Sequence, residues 1–393
     1  MQTSIFAFAT DIRDEGVEAV LDNVQHRAGL GGIAVAAAYH EARDIFPHNP
    51  ARKVRFLESG AVYFRPDPVR WRDVRLQPPI SDADDALREL IAAAERRDVQ
   101  VHAWTVFLHN GALAEAFPDC APQNAFGDPY VTDLCPANPD VRTYACVLAA
   151  DVARLGVETI VAESLHYHPL EHGYAHERYF VPLGPRARYL LGLCFCRHCL
   201  QAGSRAGVDA EALREAVRDE LELLFAGAEE EPLGVEGNLA GYVRAREEVV
   251  TTLAADVADA AHTEGASLAF MDLSGAVKGY ANGRPTGEAA PTMAWQLGVD
   301  VAAVARVCGS LEAVGYAYDP ERLRLDLGAY RALAGDAALN VVLRPTAPDC
   351  DSAENLHTKV DLARELGLAR VDFYHYGLMR LDALDRIGAA LSA

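Results

Sequence analysis

Residues 157–169 read VETIVAESLHYHP. An apolar run ends at Glu163, and Ser164, His166 and His168 follow at once. A run this short, with no helical spacing, reads as a buried strand. A strand that delivers a carboxylate and two imidazoles at its C-terminal tip builds a site as well as a core. Three similar strand-then-polar-tip units precede it and four follow.

The earlier units are Ser4–Thr10 with Asp11, Gly32–Ala38 with His40, and Val99–Phe107 with His109 and Asn110. The later ones are Ala266–Met271 with Asp272, Leu311–Tyr316 with Tyr318 and Asp319, Leu339–Leu343 with Arg344, and Arg370–Tyr374 with His375. Amphipathic stretches alternate with them. Asp82–Arg97 carries acid in its first turn and base in its last, which suits the helix dipole. Asn138 and Pro139 read as an N-cap followed by a proline at the first helical position. Eight buried strands alternating with helices predict a parallel sheet, and eight such units close into an α/β (β/α)8 barrel. An open dinucleotide-binding sheet is the poorer reading: Gly29-Leu30-Gly31-Gly32 precedes a strand instead of following one. Residues 1–393 are expected to form one barrel. Residues 164–237 are too long for a loop and read as a helical insertion on the strand-tip face, with helices at Arg186–Ala202 and Ala210–Phe225.

Half of the 393 residues are hydrophobic, ample for a core without disulfide staples. The formal net charge of -21 disfavours nucleic acid and anionic lipid as partners. No apolar run is long enough for a membrane span. The N-terminus reads as a first strand, not a leader, so a cytoplasmic protein with reduced thiols is expected. A small neutral or cationic ligand or a sugar suits this surface, and a homo-oligomer is compatible with it.

The barrel reading brings the strand tips to one pocket. Glu163 and Asp272 stand on neighbouring strands. Two carboxylates across a pocket are what glycosidic cleavage needs: one protonates the leaving oxygen and the other attacks or activates water. Asp319 is the reserve carboxylate, although Asp319-Pro320 also reads as an ordinary helix cap. Asp11, His40, His109, Asn110, His166, His168, Tyr318, Arg344 and His375 are the expected substrate contacts. Arg344 could bind a substrate carboxylate or pair structurally with Glu163 or Asp272. His166, His168, His172 and His176 raise the alternative of a metal-dependent isomerase or hydrolase, but their spacing sets no geometry. Cys194, Cys196 and Cys199 lie in LCFCRHC. They read either as buried thiols or as part of a structural zinc site with a ligand from elsewhere. No other cofactor is expected. Trp71, Trp104 and Trp295 are core or rim residues, some of them able to stack on a sugar face.

Several stretches together resemble a group of uncharacterised bacterial glycoside-hydrolase-like barrel proteins. They are Phe107–Asn110, Asn124–Asp128, Leu134–Pro139, Gly173-Tyr174 with His176-Glu177, Leu193–Cys199 and Phe373–Gly377. The resemblance implies a (β/α)8 barrel related to sugar-cleaving enzymes, with an acidic residue at the fourth tip, here Glu163. The seventh tip departs from the familiar retaining barrels, because Arg344 stands where they carry glutamate. The expectation is a hydrolase of a small glycoside or oligosaccharide. A sugar-binding barrel without catalysis is the remaining alternative.

Overall fold

The structure, a computed structural model, describes residues 1–170, 178–278 and 283–392. Eight parallel strands form the barrel: β1 (Gln2–Ala7), β2 (Gly32–Tyr39), β3 (Gln100–Val106), β4 (Thr159–Glu163), β5 (Ser267–Asp272), β6 (Ser310–Val314), β7 (Ala338–Leu343) and β8 (Arg370–Phe373). β1 pairs with β8 through Gln2–Ile5 and with β2 through Phe6 and Ala7, so the sheet closes on itself. The strands are rich in Val, Ile, Leu and Ala and are buried on both faces, as a parallel sheet under helices requires. No helix among the described residues is long and apolar enough to cross a membrane.

Helix starts follow local chemistry. Asn138 accepts from the Asp140 amide at 2.9 Å and Pro139 opens Pro139–Ala153. Asp319 likewise caps Pro320–Ala334 through the Glu321 amide at 3.0 Å. The helix expected from Asp82 begins only at Ala86. The carboxylates ahead of it are engaged from outside, Asp82 by Arg13 at 2.5 Å and Asp84 by Arg65 at 2.7 Å. The long segment after β2 holds a hairpin, Ala42–Ile45 with Val54–Leu57, and a short strand, Ala61–Val62, antiparallel to β2.

Between β4 and the 27-residue helix Gly237–Thr263 lie helices Pro185–Leu191, Arg197–Arg205 and Ala210–Phe225. The single helix expected over Arg186–Ala202 is broken. Gly192 passes so close to the Leu170 backbone that a Cβ there would meet its amide at 3.2 Å. The link that follows turns Cys194 and Cys196 inward.

The barrel interior is not wholly apolar. Arg370 on β8 donates to Asp372 at 2.7 Å and to Glu312 on β6 at 3.0 Å, and Ser4 on β1 donates to Asp372. His102 on β3 is buried beside this group. An aromatic layer sits toward the strand tips: Phe6 against Trp104 with centroids 5.1 Å apart, and Trp104 against Tyr374 at 5.8 Å.

Candidate active site

At the C-terminal ends of the strands a cavity of about 260 Å³ opens. Trp104, Tyr39, Tyr374 and Tyr316 wall it, and Glu163, His40 and Arg344 supply its polar groups. Alternation explains the set. Met271 and Leu273 face the cavity, so Asp272 between them faces outward.

Glu163 keeps partial exposure to the cavity, and its carboxylate accepts from the Trp104 indole N–H at 2.5 Å. Burial pushes its pKa up. The indole hydrogen bond and the nearby His168 pull it back in part. Arg344 donates to Asp349, and its guanidinium lies 4.1 Å from the Tyr316 ring centroid. Its structural carboxylate is therefore Asp349, neither Glu163 nor Asp272. His40 stacks between Tyr39 at 4.2 Å and His109 at 4.3 Å. Burial holds its pKa down at about 4, so the ring is neutral at pH 7.

The other expected site residues divide. His109 and His168 stand at the rim, 5.2 Å apart between centroids. His166 is buried, with Nδ1 against the Tyr167 carbonyl at 2.8 Å and its pKa lowered by burial to about 3. Asp272 is buried against the helical layer, taking hydrogen bonds from Ser274 Oγ at 2.8 Å and from Tyr330 at 2.5 Å. The structure does not bring it together with Glu163. Asp319 serves as the helix cap, and Tyr318 donates to Asp351 at 2.5 Å; both line a separate surface recess. Asn110 caps Gly111–Ala116 and donates to the Gly60 carbonyl at 3.3 Å. Asp11 is buried behind β1, where burial raises its pKa to about 7. His375 is buried against Phe8 and accepts from the Gly377 amide at 3.1 Å. None of these last seven lines the cavity. His172 and His176 lie outside the described residues, as do Gly173, Tyr174 and Glu177.

Sequence reasoning missed three participants. Tyr39 and Tyr374 were unmarked because strand alternation has two possible phases when both faces are buried. Cys135 was passed over because 59 residues separate it from Cys194. In the fold its sulfur lies 3.8 Å from Cys194, 3.5 Å from Cys196 and 3.4 Å from Cys199. All four sulfurs fall within 4.8 Å of one another and are buried. A zinc tetrahedron with Zn–S bonds of about 2.3 Å has edges of about 3.8 Å, so the four thiols fit that ion. The Gln123 amide points at Cys194 Sγ from 3.4 Å and the Tyr167 hydroxyl lies 3.3 Å from Cys199 Sγ. Such contacts orient thiolate ligands.

With the geometry in hand, comparison with known proteins places the fold. No protein-family model and no curated protein matches the chain. Among solved structures it is similar to α-L-fucosidase isoenzyme 2 from Paenibacillus thiaminolyticus, at TM-score 0.58 and 14% identity over 100% of this chain and 49% of that one. It is similar to the β-galactosidase of the psychrophilic Marinomonas ef1, at 0.54 and 13%, over 100% of this chain and 59% of that one. The β-galactosidase of Rahnella sp. R3 gives 0.55 and 13%, over 100% and 55%. The likeness is one of fold: these glycosidases carry the same parallel barrel. The chain spans about half the length of each of these three structures.

Proposed function

We propose that the protein is a glycoside hydrolase acting at the Glu163 cavity on a small glycoside or the end of an oligosaccharide. The observation that carries this is a carboxyl of raised pKa in a cavity walled by Trp104, Tyr39, Tyr316 and Tyr374. Aromatic faces suit the C–H face of a pyranose. The volume lies just under the ~300 Å³ lower bound of ordinary small-molecule sites, which suits one ring.

Glu163 is the general acid in this reading. Burial raises its pKa and so favours the protonated form, and the Trp104 N–H steadies the carboxylate left after transfer to the leaving oxygen. Among the described residues that line the cavity, Glu163 is the only carboxylate. Asp272, turned to Ser274 and Tyr330, is no partner for it. His40, neutral above about pH 4, is the second group placed to take a proton, here from attacking water. Arg344 holds a substrate oxygen or carboxylate. The fold likeness to glycosidases agrees with this reading. A screen of aryl glycosides with wild type and Glu163→Gln tests it. The expected result is turnover by wild type and a loss of about 10²- to 10⁴-fold in the variant. Undiminished turnover by Glu163→Gln would remove the residue from the chemistry.

We also propose that Cys135, Cys194, Cys196 and Cys199 hold a structural zinc. With four protein ligands the coordination is complete, so the ion would bind the segment after β4 to the barrel and take no part in catalysis. Cys135→Ser with Cys199→Ser is expected to lose zinc by elemental analysis and lower Tm. Equal zinc content in the variant would leave the four as ordinary buried thiols.

A further inference from the structure

A second group of ligand-type side chains lies at the rim of the cavity, apart from the thiols. Its backbone is tied from three directions. The Leu108 amide donates to the Ser164 carbonyl at 3.1 Å, which extends the β3–β4 pairing past the strands. The Asn110 amide donates to the Thr132 carbonyl at 3.0 Å and the Leu134 amide to the Leu108 carbonyl at 2.8 Å. These two bonds set His109 directly opposite Asp133. His168 arrives from β4, with the preceding Tyr167 amide bonded to the Leu297 carbonyl at 3.2 Å.

The result is two imidazoles and a carboxylate converging on one point. One ligand atom from each of His109, Asp133 and His168 lies within 4.8 Å of the other two. His168 Nδ1 is already in contact with Asp133 Oδ1. The side chains of His168 and Asp133 are only 3% and 10% exposed, so little water competes for them. His40 packs flat on His109 at 15° between ring planes and limits its rotation. A tetrahedral ion with bonds of about 2.0–2.2 Å places its ligand atoms about 3.3 Å apart. The three ligand atoms, within 4.8 Å of one another on a backbone held by these bonds, are close to that spacing.

We propose that His109, Asp133 and His168 form a second metal site, for a divalent transition ion of the zinc class, at the rim of the barrel mouth. Two nitrogens and one oxygen select Zn²⁺, Co²⁺, Ni²⁺ or Fe²⁺ over Ca²⁺ and Mg²⁺, which take oxygen ligands. Among the described residues three protein ligands converge here, against four in the closed thiol set, and a set of three can admit water or a sugar hydroxyl. The two sets are neighbours: Tyr167, in contact with Cys199, precedes His168 directly. The proposal does not depend on glycoside cleavage, and the test reads metal, not turnover.

The full chain and an Asp133→Asn/His168→Gln variant are equilibrated with a small excess of zinc, gel-filtered and analysed for metal. The variant is expected to hold one equivalent fewer per chain. Cobalt added to wild type that carries one equivalent of zinc, enough for the closed thiol set alone, is expected to give visible ligand-field bands without a thiolate charge-transfer band, and to give none with the variant. Equal zinc content in the two proteins overturns the proposal and leaves Asp133–His168 a hydrogen-bonded pair only. His109→Gln, at a half-buried ligand, serves if the double variant fails to fold. It is expected to bind zinc at least 10-fold more weakly, and unchanged binding overturns the proposal equally.

Discussion

The barrel holds buried carboxylates at two heights, and they are treated oppositely. In the lower interior, Glu312 and Asp372 share Arg370, and Ser4 adds a further donor. At the mouth, Glu163 is given no cation among the described residues: its hydrogen bond comes from the neutral Trp104 indole, and Arg344 beside it is bound to Asp349. The difference separates structure from chemistry. On the floor, burial and the neighbouring Asp372 also push the Glu312 carboxyl up, but Arg370 ties both carboxylates into one hydrogen-bonded cluster that is costly to break. A buried carboxyl offered only a neutral donor keeps a raised pKa and can give its proton away.

The widest contrast is expected from removing each group in turn. Glu163→Gln should cost about 10²- to 10⁴-fold in kcat/KM with little change in Tm. Because burial raises the Glu163 pKa, wild-type kcat/KM should fall as pH rises through that raised value, when the acid loses its proton. Arg370→Met should reverse the pattern. It strands two carboxylates in the interior and should destabilise by about 3–5 kcal/mol in denaturant unfolding. Equal effects of the two substitutions on stability would erase the distinction between mouth and floor.

Asp11 sharpens the comparison, as a buried carboxyl outside both sets. Its folded pKa of about 7 lies above the ordinary 3.8, so the folded state retains a proton that the unfolded chain has released. Stability should therefore fall as pH rises from about 4 to about 7 and level off above. At about 1.4 kcal/mol per pH unit the effect is bounded near ~4 kcal/mol. Asp11→Asn keeps an acceptor for the Phe8 amide, which now reaches the carboxylate at 2.9 Å, and should flatten that slope. An unchanged pH profile would assign the Asp11 proton wrongly. The smallest effect is expected at Asp272. Asp272→Asn loosens its contacts with Ser274 and Tyr330 and should cost about 1–3 kcal/mol of stability while leaving kcat/KM within a few-fold. A catalytic loss as large as that of Glu163→Gln would put Asp272 back in the chemistry.

Much of this was legible in the chain. All eight barrel strands lie where apolar runs end in polar residues, because a strand buried on both faces needs a continuous apolar run. Glu163, His40 and Arg344 were legible as cavity groups because they stand at or just past strand ends, where barrel side chains converge. Asp272 shows where that reasoning stops. A strand end supplies two directions, and a shift of one residue turns a side chain from the cavity to the helical layer. With both faces apolar, the run from Ala266 to Met271 carries no signal that chooses between them.

The order of elements, the caps at Asn138 and Asp319, and the concentration of histidine and cysteine after β4 were settled by the sequence alone, since each depends on neighbours within a few positions. Closure of the barrel decided the rest. It brought Cys135 to Cys194 across 59 residues and set His109 opposite Asp133. It also gave Arg344 to Asp349, and Arg370 to the two interior carboxylates. Those partnerships depend on the phase and register of whole strands, quantities that exist only once the sheet has closed.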